Sequence, residues 1–246
     1  MERDRLLKLY NFNRESIYGN SAGPGLYRPV LDSNPTVNIR APLTPVLGLS
    51  IAAQNISHIE GTGGLYFAEG GNSKKILLIT ARHVVFPPTE SINTDYTCKN
   101  TSMPRHNILL LGMRAYADVA KSIKIKIGNK IIIADYYKEQ ISTFETKVRN
   151  LTEAGKDDEE IEDVTRELKI AKDLLGKWND EMKILDKFRQ EVNNPHQHVL
   201  GHVISSPHIT LNAGMEGFTE DYAIVELDRS KIEKSFLGNV IDLGMF

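Results

Sequence analysis

The stretch KKILLITARHVVFPP, residues 74–88, decides the fold of this chain. Its apolar run at residues 76–79 predicts a buried β-strand. Arg82 and His83 follow directly after the strand, and the segment then turns apolar again and ends in two prolines. A histidine at the exit of a buried strand can act as a general base when a carboxylate holds its other ring nitrogen. The fold must therefore supply a partly buried carboxylate on a neighbouring strand or loop.

The segment FTEDYAIVELD, residues 218–228, offers that carboxylate. Asp221 stands just before the apolar run at residues 223–227, which predicts a second strand. The side chain of Asp221 is therefore expected at the edge of a sheet, along the boundary of the core. Glu220 competes for the same role, but its spacing to the apolar run is less suitable.

Composition excludes several classes of function. The chain has 246 residues, of which 41% are hydrophobic and 25% charged, and its formal net charge is −2. Nucleic-acid binding needs a basic excess, so no nucleic-acid partner is expected. No apolar stretch reaches the roughly 20 residues that span a bilayer, so no membrane partner is expected either. The first residues lack the apolar core of a secretory signal and Cys98 is the single cysteine, which together predict a cytoplasmic location.

Turn-forming residues and changes of hydrophobic period divide the chain into four parts. Residues 1–45 are rich in Pro, Gly and Asn and predict an extended arm, with a short helix at residues 3–10. Residues 46–134 have the apolar patterns that predict β-strands. Strands are predicted in VLGLSIAA, TGGLYFAEGG, KKILLITARHV, HNILLLGM and KSIKIKIGNKIIIADYY. In the last segment, residues 121–137, isoleucines alternate with lysines and Gly128-Asn129 predicts a hairpin turn.

The period changes near Ala134 from two residues to about three and a half, which is typical of paired helices. The apolar positions of the two series are Tyr137, Ile141, Phe144, Val148, Leu151, and then Ile161, Val164, Leu168, Ala171, Leu175, Trp178, Met182, Leu185, Phe188 and Val192. The short link between the series predicts an antiparallel helical hairpin over residues 135–193. Pro195 ends the hairpin, and the patterns in residues 196–246 again predict β-strands. HVLGHVISSPHITL is predicted there as one strand bent at Ser206-Pro207.

Three segments carry a resemblance to a known family. GTGGLYFAEGG followed by ILLITARHVV resembles the Gly-rich strand and Thr-Ala-x-His segment of trypsin/chymotrypsin-like serine peptidases. EDYAIVELD resembles their aspartate segment, and HVISSPHI resembles the strand before it. The chain is most similar to the fungal intracellular type with a coiled-coil insertion, over about residues 46–134 and 196–246.

The resemblance implies a mainly β fold with a helical insertion. It would be a chymotrypsin-like N-terminal β-barrel, half of a two-barrel fold, interrupted by the antiparallel hairpin. His83 would be the general base and Asp221 would fix its tautomer and stabilise the imidazolium. No Gly-Asp-Ser-Gly segment is present and 25 residues follow Asp221, so the nucleophile half is expected to be missing and this chain to be inactive by itself.

Two functions therefore remain open. In the first, the chain is the His–Asp part of a serine endopeptidase that acts on a protein or peptide substrate. In the second, it is a non-catalytic protein whose helical hairpin binds a protein partner or a second copy, with the barrel as a scaffold.

Two other patterns suggest ligands less strongly. His196, His198 and His202 could place three imidazoles on one strand face, but no cysteine or acidic ligand lies nearby in the sequence, so neither a metal nor another cofactor is expected. Gly61, Gly63 and Gly64 superficially suggest a phosphate loop. No Lys-Ser/Thr follows them and the next element is a strand, so they predict tight strand packing.

Overall fold

A computed structural model describes residues 26–27, 30, 33–100, 102–192, 198–232 and 235–241. The chain divides into two compact units. The first comprises Met1–Val30, Asn38–Asp118 and Asn194–Phe246, and the second comprises Leu31–Val37 and Val119–Asn193. The helix predicted at residues 3–10 lies outside the described residues.

The first unit contains a closed antiparallel barrel of six strands. The strands of the described chain are β1 (Leu49–Ala53), β2 (Glu60–Ala68), β3 (Ile76–Thr80), β4 (Tyr96–Thr97), β5 (Asn107–Leu110), β6 (Val199–Ser206), β7 (Thr210–Ala213), β8 (Phe218–Glu220) and β9 (Ala223–Leu227). The barrel runs β1-β2-β3-β9-β6-β5 and back to β1, and β4 pairs with the last residues of β6, beyond the part that pairs with β5.

Alternating burial along the strands builds the core of this barrel. In β9, Ala223, Val225 and Leu227 are buried, while Ile224 and Glu226 between them are partly exposed. Ile51, Leu78, Ile108, Val203 and Val225, from five different strands, are fully buried. Successive side chains of a strand point to opposite faces, so one apolar face of each strand fills the interior.

A glycine permits the closure between β6 and β9. A Cβ atom on Gly201 would collide with the carbonyl oxygen of Glu226, which belongs to the paired strand. The ladders of β6 with β5 and with β9 also each contain a register shift. Bulges increase the local bend of a strand, as closing a small barrel requires.

The bent strand predicted over HVLGHVISSPHITL is two separate strands, β6 and β7, so that prediction is wrong in part. β7 pairs with β8 in a separate two-stranded sheet. Pro207 lacks the N–H that would continue the ladder. The next two backbone N–H groups, of His208 and Ile209, donate instead to the side chains of Asp95 and Asn93.

The second unit is built on two long helices. Helix α3 spans Met113–Glu153 and α4 spans Asp158–Val192. Lys130 Nζ lies 2.6 Å from Glu181 Oε2 and Lys172 Nζ lies 2.8 Å from Glu145 Oε1, so the helices run antiparallel. The seam positions named from the sequence are all buried or half-buried. The predicted helical hairpin is therefore confirmed. No helix in the described part of the chain has the length and apolarity that crossing a bilayer requires.

The strand hairpin predicted at residues 121–137 is wrong, because this segment belongs to α3. Helix α3 begins at Met113, about 20 residues before the predicted change of period. The alternation of isoleucine and lysine covers only residues 123–127. Val119, Ile123 and Ala134 are the buried positions, and their separations of 4 and 11 residues fit a helical face.

The described part of the N-terminal arm is not extended, which corrects that prediction. Residues Val37–Arg40 form a short helix, α1, and Ala41–Leu43 form a 3₁₀ turn. Tyr27 donates its backbone N–H to the carbonyl of Leu43, and Leu26 donates to Lys231. Lys231 lies on the last short helix, α5 (Arg229–Ile232). The side chains of Leu26, Ile39 and Leu43 in this part of the chain are buried.

Candidate functional site

The turn that carries His83 is fixed on both sides. β3 ends at Thr80, whose hydroxyl donates to the carbonyl of Thr62 on β2 at 2.8 Å. Helix α2 (Arg82–Val85) follows, with Val84 and Val85 buried. A Cβ atom on Gly61 would collide with the Val84 side chain. The absence of a side chain at Gly61 therefore lets α2 lie against β2. A Cβ atom on Gly63 or Gly64 would crowd Leu78 or Ile79 of the paired strand β3, so the predicted tight strand packing is confirmed.

Asp221 reaches the same place from the start of β9. The ladder between β3 and β9 pairs Thr80 with Ala223, two residues after Asp221. The residue between them, Tyr222, accepts a hydrogen bond at its carbonyl from Ser206 Oγ at 3.1 Å. Strand pairing thus places the entrance of β9 beside the exit of β3.

His83 and Asp221 form a two-point contact. His83 Nδ1 lies 2.5 Å from Asp221 Oδ2, and the backbone N–H of His83 donates to Asp221 Oδ1 at 3.1 Å. The approach of these two side chains, 138 positions apart in the chain, confirms the geometry predicted from the sequence. The competing Glu220 ends β8 and is exposed, and its carboxylate has no hydrogen bond to any described residue.

Electrostatics favours the ionised carboxylate. Partial burial acts to raise the pKa of Asp221, but hydrogen bonds from the ring and backbone of His83 and from the backbone of Arg82 bring that pKa below its ordinary value. An ionised Asp221 holds the ring proton on Nδ1 and leaves the lone pair on Nε2. Nε2 has no hydrogen-bond partner among the described residues, and the His83 side chain is 56% exposed. The pair can therefore receive a proton from a group that approaches from solvent.

Arg82, which the sequence analysis did not single out, organises the surroundings of the pair. Its side chain is buried, and Nη1 donates to the carbonyl and the hydroxyl of Ser206. Nη2 donates to the carbonyls of Ile92 and Thr94 at 3.3 and 2.7 Å. Burial lowers the pKa of the guanidinium, whereas the charges of Asp95 and Asp221 oppose that effect. The buried Arg82 side chain therefore connects three segments by hydrogen bonds: α2, to which it belongs, the end of β6, and the loop at residues 92–94.

A second histidine–aspartate pair lies on the neighbouring loop. His208 Nδ1 is 2.7 Å from Asp95 Oδ1, and the backbone N–H of His208 donates to the same oxygen at 2.8 Å. The hydrogen bond from the His208 ring lowers the pKa of Asp95. Asp95 is 70% exposed, compared with 24% for Asp221. The sequence contains no local signal for this pair, because His208 lies inside a segment predicted as one strand and Asp95 lies in a loop with no apolar run after it.

The three histidines considered for zinc have other surroundings. The ring of His198 meets the ring of Tyr116 edge to face, with centroids 3.8 Å apart, and His202 pairs across strands with Asn107 and Glu226. His196 lies outside the described residues. Over the ranges that the structure describes, no group of three or more His, Cys, Asp or Glu side chains could hold a metal ion.

Comparison with known proteins does not identify a relative. No family model matches the chain, and no match was found among the curated proteins or among the solved structures. The candidate site therefore rests on the geometry described above.

Proposed function

We propose that the chain carries the general-base half of a trypsin-like serine peptidase site, on a chymotrypsin-like barrel, with His83 and Asp221 as the reacting pair. The observation that supports this most directly is the 2.5 Å contact between His83 Nδ1 and Asp221 Oδ2 at the edge of a closed antiparallel barrel. The chain order, His before Asp, is also that of the chymotrypsin-like enzymes.

In this proposal His83 Nε2 takes the proton of a serine hydroxyl as the hydroxyl oxygen attacks the scissile carbonyl of a peptide. Asp221 stays ionised and stabilises the imidazolium that forms. His83 then returns the proton to the departing amine. No hydroxyl of the described residues contacts His83 Nε2. The serine, and the donors that stabilise the oxyanion, therefore have to come from residues other than those that the structure places beside His83.

Hydrolysis of an activated ester tests the general base without requiring a serine. Water can attack p-nitrophenyl acetate while His83 Nε2 removes the proton and p-nitrophenolate leaves. The His83→Gln variant should lose this catalysis, and a positioned general base typically contributes about 10²-fold or more. Asp221→Asn should also lower the rate, because the amide no longer stabilises the imidazolium.

The second pair supplies a matched control, because His208 has the same kind of Nδ1 contact to an aspartate. His208→Gln should keep the ester hydrolysis of the unaltered chain. Equal loss in the two histidine variants, or a rate no higher than that of free imidazole, would overturn the role proposed for His83.

Labelling with a fluorophosphonate tests the missing nucleophile. The described residues place no serine hydroxyl on His83 Nε2, so no labelling is expected from the chain alone. Ser21 lies outside the described residues, in GNSAG at residues 19–23, which has the Gly-x-Ser-x-Gly spacing of another hydrolase class. Labelling that disappears in Ser21→Ala would show that the chain contains its own nucleophile and would overturn the expectation of inactivity.

A second candidate function is protein binding through the helical hairpin. Ile125, Ile132 and Tyr136 are exposed on α3 by 52%, 70% and 55%. Their separations of seven and four residues place them on one helix face at the spacing of a coiled-coil seam. An exposed apolar stripe of this kind fits an additional helix of a protein partner or of a second copy.

Light scattering of the purified chain tests this candidate. Self-association through the stripe predicts a mass above that of one chain, which Ile132→Glu should return to that of a monomer. Ile170→Glu, on an exposed position of α4, is the control and should leave the mass unchanged. A monomeric mass at all concentrations would contradict self-association, and the stripe could then bind only a different protein.

A further inference from the structure

A groove crosses the outer wall of the barrel, formed by strands β5, β6 and β9 and by the residues that lead into β3. It has a volume of about 510 Å³. Cross-strand pairing sets Asn107 beside His202 and His202 beside Glu226, and Glu226 accepts a hydrogen bond from Lys75 Nζ at 2.7 Å. His202 and Glu226 alternate with buried neighbours on their strands. This polar row therefore lies on the outside of the barrel and forms the floor of the groove.

Positive charge dominates the lining of the groove. Four cationic side chains line it: Lys74, Lys75, Arg105 and Arg229. The two carboxylates in the lining already have partners, because Glu226 binds Lys75 and Asp228 accepts from the backbone and hydroxyl of Ser230. Lys74 and Arg105 are exposed and form no ion pair with any described residue. The groove thus presents an ammonium and a guanidinium that a ligand could use.

The pKa of His202 reflects the positive charge of the groove. Burial lowers the pKa of His202, the charges of Arg105 and Lys75 lower it further, and Glu226 opposes them. The uncharged imidazole can donate one hydrogen bond and accept another. An anion in the groove would favour the protonated ring, so a change at His202 is a direct measure of occupancy.

We propose that this groove binds a phosphate monoester. Arginine offers a planar fork of donors that fits phosphate oxygens, and lysine adds a point charge. A phosphate monoester is close to dianionic at neutral pH, since its second pKa is about 6, and a dianion matches the surplus of two cations over carboxylates in the lining. The groove is also larger than a phosphate group alone, so it has room for the organic part of the ester.

Binding is measured on the full chain by following the imidazole signal of His202 in NMR spectra, assigned with the His202→Gln variant. Phenyl phosphate, benzoate and inorganic phosphate are titrated at constant ionic strength and pH. Phenyl phosphate should shift the His202 signal saturably and raise the pKa of His202. Benzoate, a monoanion with the same ring, should bind more weakly.

Charge-removing variants connect the signal to the groove. Lys74→Gln combined with Arg105→Gln should weaken phenyl phosphate binding by at least about tenfold, because charge-assisted hydrogen bonds are the strong ones. Lys99→Gln is the matched control, since Lys99 is exposed and lies outside the groove lining. A shift without saturation, or equal weakening in the control and the double variant, would overturn the site.

Two further probes distinguish the sources of the ester. Glycerol 3-phosphate represents a phosphorylated metabolite, and N-acetyl phosphoserine amide represents a phosphorylated polypeptide. Tighter binding of either probe than of inorganic phosphate supports the monoester and identifies its source. Equal affinity for all three would overturn the assignment of an ester, because the organic part would then contribute nothing.

Discussion

Arg82 donates hydrogen bonds to both polar groups of Ser206, to the carbonyl oxygen at 3.1 Å and to Oγ at 3.0 Å. The Ser206 hydroxyl in turn donates to the carbonyl of Tyr222, the residue after Asp221. A chain of hydrogen bonds therefore leads from the residue before His83 to the residue after Asp221. The two members of the candidate dyad are held together through their chain neighbours as well as by their own contact.

Arg82→Met should destabilise the fold strongly. The variant leaves the buried carbonyl of Ser206 and the part-buried carbonyls of Ile92 and Thr94 without their donor. Leaving a buried acceptor without its donor costs about 1–3 kcal/mol. Chemical denaturation measures the loss, and Arg149→Met, at an exposed helical position, is the control that should change the free energy of unfolding little. A cost below about 1 kcal/mol, the size of one ordinary hydrogen bond, would contradict the role described for Arg82.

Asp221→Asn should remove a contribution to stability that depends on pH. The pKa of Asp221 in the folded chain lies below its ordinary value of 3.8, so the ionised carboxylate favours the folded state. That contribution is fully present above pH 3.8 and is lost as the pH falls through the lower folded value. The unaltered chain should therefore exceed Asp221→Asn in unfolding free energy by about 1.5–3 kcal/mol at pH 6, the range for a hydrogen bond to a charged group.

The difference between the two chains should shrink as the pH is lowered below 3.8. Denaturation curves at several pH values between 6 and 2.5 follow it, over roughly the acid range in which paired carboxylates lose their effect. Glu220→Gln, one residue earlier and exposed, should show no such convergence. A difference that stays constant with pH would show that the carboxylate charge is not what stabilises the contact.

Gly61→Ala should move the turn that carries His83. The added methyl group meets the Val84 side chain on α2, and overpacking of this kind costs about 1–3 kcal/mol. The double variant Gly61→Ala with Val84→Ala should regain part of the position of His83, because it frees the space that the new methyl group occupies. The NMR signal of the His83 ring reports the displacement. An unchanged signal in the single variant would show that α2 does not depend on the contact with Gly61.

Gly128→Ala should have the opposite effect on stability. Gly128 lies inside α3, and a Cβ atom there would meet no atom within 4 Å. Alanine in a helix interior is more favourable than glycine by about 0.5–1 kcal/mol. A gain in unfolding free energy of that size supports the helix. A loss would favour the hairpin turn at Gly128-Asn129, in which glycine is preferred at a positive φ angle.

Local sequence patterns predicted those parts of the molecule in which a single period is sustained. The apolar runs of β3 and β9 and the seam from Tyr137 to Val192 are long enough for burial to follow the pattern. The pattern failed at residues 121–137, where five alternating residues favoured a strand although the face from Val119 to Ala134 is helical. A window of five residues cannot separate these two periods when apolar and basic residues are mixed.

The sequence by itself determined the strand-exit position of His83, the strand-entry position of Asp221 and the helical insertion between the parts of the barrel. Only the tertiary structure decided that the barrel closes, that Arg82 is buried between three segments, and that His208 meets Asp95 across 113 positions. The physical reason is that periodicity records which face of a segment avoids water, whereas these contacts depend on which strands pair and in which register. That choice is made by packing distant segments together, and no local pattern contains it.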